Sequence, residues 1–114
     1  MTTVQLNEST QITLDGSGNG TARLAPNFGQ TWSPQTVSVK TVTPIVKEAQ
    51  CRIYLGSDTS DPNFVDGTLS GSTGDSTDRV RGPFRLPWAV FAVWSGGDAG
   101  ARATLTVMGE RELL

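Results

Sequence analysis

The sequence predicts an all-β fold, an antiparallel β-sandwich of the jelly-roll or Greek-key type. Three observations carry this. The 114 residues include 13 Gly, 6 Pro and 25 Ser plus Thr, a mixture that disfavours helix and suits strands joined by tight turns. Short apolar/polar alternations recur between the Gly and Pro clusters, as half-buried strands require. No stretch of helical length keeps an apolar stripe at i, i+3, i+4, i+7, so no helix of consequence is expected. A chain of this size has room for one core and about seven to nine strands of ~5 to 6 residues.

Residues 1–9 are mostly polar and read as an N-terminal arm, with the sandwich domain at 10–109 and a short tail, ERELL, at 110–114. Residues 10–14 alternate, with Ile12 and Leu14 on one face. Asp15-Gly16-Ser17-Gly18-Asn19-Gly20 then reverses the chain into a second strand at 21–25, because Gly and Asn tolerate the backbone a hairpin needs. A segment holding Pro26, Gly29, Trp32 and Pro34 leads to a strand at 35–42, where Val37 and Val39 oppose Ser38 and Lys40. In 50–55, Cys51, Ile53 and Leu55 face inward and Arg52 and Tyr54 outward. A polar loop at 56–63, a short run at 64–71 and a second loop around Gly74 precede TDRVR at 77–81. After the Gly82-Pro83 turn comes the most apolar stretch, 84–94, and then a Gly-rich turn at 95–100. The last strand, 101–109, directs Ala101, Ala103, Leu105 and Val107 to the core.

The available chemistry is thin. With no His and a single Cys, Cys51, the chain lacks the parts of His-based triads, Cys-His pairs, the common zinc sites and any internal disulfide. Nine Lys plus Arg against eleven Asp plus Glu give a net charge of -2 and offer no general attraction for a polyanion, so no nucleic-acid partner is expected. No apolar run approaches the ~18 residues of a membrane span, and MTTVQLNEST lacks the basic and apolar regions of a signal peptide. The expectation is therefore a protein made in the cytoplasm, without a membrane partner. Asp15-x-Ser17-x-Asn19-Gly20 imitates the start of a calcium loop, but Pro26 stands where the bidentate Glu belongs, and a plain hairpin turn is the preferred reading. Asp58, Asp61 and Asp66 fit Asx-turns better than a cation site. Glycoside hydrolysis would need two carboxylates facing one cleft, whereas the acidic residues here sit in Gly/Ser loops. No enzyme activity, metal or cofactor is expected.

The aromatic residues carry more. Trp88, Val90, Ala92 and Trp94 share one parity and Ala89, Phe91 and Val93 the other, so this strand is apolar on both faces. A sandwich has one interior; the second face needs a cover. That cover would be the chain's own 26–34 segment with Phe28 and Trp32, another protein, or a sugar ring stacked on Trp32 or Trp88. An aromatic leaving ~100 Å² in water forgoes about 2.5 kcal/mol. Arg79, Arg81 and Arg85 would grip a partner's carboxylate or a phosphate, or simply neutralise an edge beside Asp75 and Asp78. Leu113 and Leu114 would either dock on a neighbour or end a disordered tail. The expected interface residues are thus Trp32, Arg79, Arg81, Arg85, Trp88, Phe91, Trp94, Leu113 and Leu114.

The stretch Ile12 to Gly109 resembles small virion proteins of tailed bacteriophages, especially those of actinobacterial hosts. The residues that carry the likeness are ITLDGSGNGTARLAP, the Trp-Ser-Pro step into a Val/Ser strand, CRIYLG, FVDGTLSGSTGDSTDRVRGP and AVWSGGDAGARATLTVMG. The resemblance implies a β-rich, non-enzymatic structural protein of the virion: a head decoration, a collar or connector piece, or a minor tail component. It also implies a homo-oligomer whose partners are other virion proteins, such as the major capsid, connector or tail proteins. A carbohydrate-binding module on the virion surface, used in host adhesion, is the alternative. An exposed, coplanar Trp pair would favour it, and tryptophans buried under a loop would count against it.

Overall fold

The computed structural model describes residues 2–42, 49–70, 75–78 and 83–113. They form strands β1 (Thr2–Thr13), β2 (Gly20–Leu24), β3 (Thr31–Val42), β4 (Ala49–Gly56), β5 (Phe64–Ser70), β6 (Asp75–Asp78), β7 (Ala89–Ser95) and β8 (Arg102–Leu113). A single 3-10 turn, Asp61–Asn63, precedes β5. β1 pairs with β8, β2 with β7, β3 with β6 and β4 with β5, all antiparallel. The chain is in effect one long hairpin with β4 and β5 at its tip, folded over so that β8 also pairs with β3 and β7 with β4. Two four-stranded sheets result, ordered β1-β8-β3-β6 and β2-β7-β4-β5. This winding is the jelly roll.

The core lies between the sheets. Leu6, Val37, Val39, Ala103, Leu105 and Val107 come from one, and Cys51, Ile53, Val90, Ala92 and Trp94 from the other. Each large side chain fully buried here contributes on the order of 1.5–3 kcal/mol. Of the inward positions read from alternation in β3, β4 and β8, Val37, Val39, Cys51, Ile53, Ala103, Leu105 and Val107 are buried, because a period of two leaves one face of each strand for the core, whereas Leu55 and Ala101 are only half-buried and Tyr54, expected outward, is buried.

The polar arm and tail expected at 1–9 and 110–114 are instead strand among the described residues. Thr2 through Ser9 pair residue for residue with Leu113 through Thr106. Their polarity belongs to a solvent-facing side: Thr3, Gln5, Asn7 and Ser9 are exposed while Leu6 is fully buried. β3 likewise starts earlier than expected and carries Pro34 in mid-strand. The sheet accommodates it by a bulge at Gln35, where the register passes from Pro34↔Gly109 to Thr36↔Met108, the setting in which a strand tolerates Pro. Gly109 is required opposite this bulge, since a Cβ there would lie 2.5 Å from the Ser33 carbonyl oxygen.

β1, β3 and β8 each have 12 residues, or ~41 Å of strand. The second sheet's strands have 5 to 8. The hairpins expected across 15–20 and 95–100 do not form, because β1 and β2, and likewise β7 and β8, lie in opposite sheets and pair with other strands. These turns cross between the sheets and bring them level at one end: Gly97 N–H donates to Gly18 C=O at 3.0 Å, and Leu14 N–H to Ala101 C=O at 2.8 Å. The excess length of the first sheet therefore projects at the other end. The molecule measures 47 × 26 × 20 Å.

Candidate functional site

At the end closed by the β1–β2 and β7–β8 turns the polar groups satisfy one another. Asp15 Oδ1 accepts from the backbone N–H of Ser17 (2.8 Å) and of Asn19 (3.0 Å). Asn19 Oδ1 accepts from Gly96 N–H at 3.1 Å, tying the two turns together. The Asn19 and Ser17 amides hold the Asp15 carboxyl below its ordinary value. The calcium-like run forms an Asx-turn. Gly18 has φ +76° and lies against the Gly97 backbone with no room for a Cβ. The β4–β5 loop, at the opposite end where Gly56 faces Ala89, is closed in the same way: Asp58 Oδ1 accepts from Ser60 Oγ (2.6 Å), Ser60 N–H (3.0 Å) and Asn63 Nδ2 (2.8 Å). The Ser60 hydroxyl and amide, with Asn63, lower its pKa. Among the described residues no group of three or more His, Cys, Asp or Glu side chains is placed to hold a metal ion, and no helix is long and apolar enough to cross a membrane.

The projecting end is built differently. Trp32 at the start of β3 exchanges two backbone hydrogen bonds with Phe84, at 2.8 and 2.9 Å, and their rings meet edge to face with centroids 6.0 Å apart. This bridge folds the 83–88 segment back over the overhanging sheet. The same segment lines a shallow, open, partly apolar pocket. Leu86 is 39% and Trp88 48% exposed. In the β2–β3 connection at this end, Phe28 stands at the tip of a turn closed by Gln30 N–H to Asn27 C=O (2.9 Å) and is 94% exposed. On the inner side of the overhang, Arg111 Nη1 donates to Glu8 Oε1 at 2.7 Å. Three buried polar atoms nearby in the strand register, Gln30 Oε1, Trp32 Nε1 and Arg111 Nε, have no hydrogen-bond partner among the described residues.

Of the nine residues expected to make contacts, Trp88 and Arg85 are exposed in the 83–88 segment. Trp32 (3% exposed) and Trp94 (0%) are core, which corrects their assignment to an interface. Trp94 points inward with Val90 and Ala92. Trp88 shares that parity on paper, but the turn made by Trp88 N–H and Arg85 C=O (3.0 Å) breaks the extended chain just before β7. Phe91 is half-buried on the outer face of the second sheet, under the Arg23 guanidinium at 6.0 Å from its ring centroid. Its cross-strand neighbour Tyr54 is buried, edge-on to Phe64 at 5.7 Å. The second face of β7 is therefore covered by neighbouring strands of its own sheet. The 26–34 segment does not provide that cover: Trp32 lies inside and Phe28 projects into water. Leu113 ends β8 opposite Thr2 and is half-buried. Arg79, Arg81 and Leu114 lie outside the described residues. Sequence reasoning missed Phe28 as a free apolar tip and Leu86 beside Trp88. The Pro26-Asn27-Phe28-Gly29 run, a ring set among turn formers, was the available signal for the first.

With two of three tryptophans in the core, no exposed Trp pair exists for a sugar ring to stack upon. What the projecting end offers is apolar area on loops, Phe28, Leu86 and Trp88, beside the exposed Arg85. The chain matches no protein family, no curated protein and no solved structure.

Proposed function

We propose that this chain is a non-enzymatic structural subunit of a tailed-phage virion, used in several copies as a head decoration or as a head–tail or tail accessory. The observation that carries the reading is the asymmetry of the jelly roll: one end is closed by its own hydrogen bonds, and the other presents Phe28, Leu86 and Trp88 to solvent. The architecture is one that capsid subunits use, though lectins use it too, so the site and not the fold must choose between them. The apolar end favours docking on protein. The sequence resemblance to small virion proteins supports the same reading. Arg85 on the 83–88 segment adds a cation at the rim, suited to a carboxylate on a capsid, connector or tail partner.

Quantitative mass spectrometry of gradient-purified particles tests this directly. The expected result is a fixed copy number per particle, a multiple of the symmetry order of its position, and loss of incorporation when Phe28 and Trp88 are both changed to Ser. Absence of the chain from purified particles would overturn the reading, as would full incorporation of the double variant.

A further inference from the structure

Among the described residues each sheet has two edge strands, and three of the four are blunted. β2 is five residues long and carries Arg23; β5 faces a register break at Ile53/Tyr54; β6 reads Asp-Ser-Thr-Asp. Short length, charge and bulges are the devices by which edges avoid pairing with other chains. β1 has none of them. Its 12 residues keep an unbroken register against β8, with no Pro, Gly, Lys or Arg, and its one ionised side chain, Glu8, is neutralised by Arg111.

β2 runs beside only the C-terminal half of β1, where Gly20 packs against Ile12 and Leu14. Five residues span ~17 Å, so the edge of residues 2–8, on the overhang, continues past it. In an antiparallel pair, alternate residues of β1 direct their N–H and C=O groups away from β8. On this stretch those groups form a ready-made ladder.

We infer that residues 2–8 of β1 pair antiparallel with the same residues of a second copy, about a twofold axis at Gln5, joining the two β1-β8-β3-β6 sheets into one. This rests on the reading of the chain as a multi-copy subunit and names what two copies share. The sequence is complementary to itself in this register. Gln5 meets Gln5, Thr3 meets Asn7 on the exposed face, and Val4 meets Leu6 on the face that continues the core. Glu8 meets Thr2, so no like charges oppose each other across the axis. Because paired positions sum to an even number, each face of one copy continues the same face of the other.

Gln5→Cys provides the test. Directly opposed residues in an antiparallel pair have Cα atoms ~4.5–5.5 Å apart, within the ~4.4–6.8 Å a disulfide spans. Cys51 is buried in the core. Under mild oxidation the variant is expected to give a linked dimer on a non-reducing gel. Gln11→Cys, on the same exposed face but alongside β2, should stay unlinked. Light scattering of the unmodified protein should give twice the 12.1 kDa chain mass, and Gln5→Lys, which sets two ammonium groups against each other, should return it to the single-chain mass with an unchanged circular dichroism spectrum. A protein that stays monomeric at every concentration overturns the inference and points to a strand from a different protein. A dimer that does not link at residue 5, or that links equally at residue 11, also overturns it. A chain that dimerises this way but is missing from virions sinks the proposed function alone. One that enters virions without linking at residue 5 sinks only this pairing.

Discussion

The two ends of this jelly roll spend similar turn-rich sequence on opposite tasks. At the closed end, Asp15, Asn19, Gly18 and Gly97 are locked by backbone and side-chain hydrogen bonds. At the projecting end the turns carry Phe28, Leu86 and Trp88 into solvent, over buried polar atoms that have no described partner. A buried donor or acceptor left unpaired costs about 1–3 kcal/mol. The difference separates what the molecule seals with its own contacts from what it leaves open: the core and the closed end belong to the first, and the exposed rings and side chain of Phe28, Trp88 and Leu86 on the overhang to the second.

Substitutions at the three tryptophans separate those roles most sharply. Trp94→Ala, emptying the core, should cost roughly 3–5 kcal/mol and show as a large fall in the urea midpoint. Trp88→Ser should shift the same midpoint by no more than about 0.5 kcal/mol while impairing incorporation into particles. Equal losses for the two would erase the distinction between core and contact.

Next in size is Gly18→Ala, which forces an L-residue into positive φ and pushes a methyl group into the Gly97 backbone; a loss of about 3 kcal/mol is expected. A cost below about 1 kcal/mol would mean the closed end is looser than its hydrogen bonds imply. Glu8→Gln removes a partly exposed ion pair with Arg111 on the overhang. Solvent screening limits the change to about 1 kcal/mol or less, and it should shrink further in high salt.

The smallest effect is one of pH. Asp15 and Asp58 both have folded-state pKa values below the ordinary 3.8. Their stabilising contribution is fully present above that value and is lost as pH falls through the lower, folded-state values. Denaturant midpoints should therefore be insensitive to these two groups near neutrality and decline below about pH 4. Asp58→Asn should flatten part of that decline. An unchanged acid slope in the variant would show that the Ser60 and Asn63 hydrogen bonds are not made in solution.

The fold class was legible because alternation and turn chemistry agree along most of the chain: Val37, Val39, Cys51, Ile53, Leu105 and Val107 all point where their parity says. Strand length was not legible at the ends. In β1 a polar outer face and one deeply buried residue, Leu6, look like an arm until β8 is known to lie beside them. The site was less legible still. Parity says which residues share a face, but not which face is inside, so Trp94 passed for a contact. Trp88 left its parity through a turn that only the fold reveals, and Trp32 is buried by Phe84, 52 positions away. The bare edge of β1 is a property of strand order and had no local signal at all.

The most direct test of the central claim is hydroxyl-radical footprinting of Phe28 and Trp88 in the free protein and in purified particles, with Met108 as the internal reference because it is 43% exposed on the polar outer face of the first sheet. Strong protection of Phe28 and Trp88 in the particle, with Met108 oxidised as readily as in the free protein, is the predicted result. Equal oxidation of Phe28 and Trp88 in both states would contradict the assignment of the projecting end to assembly.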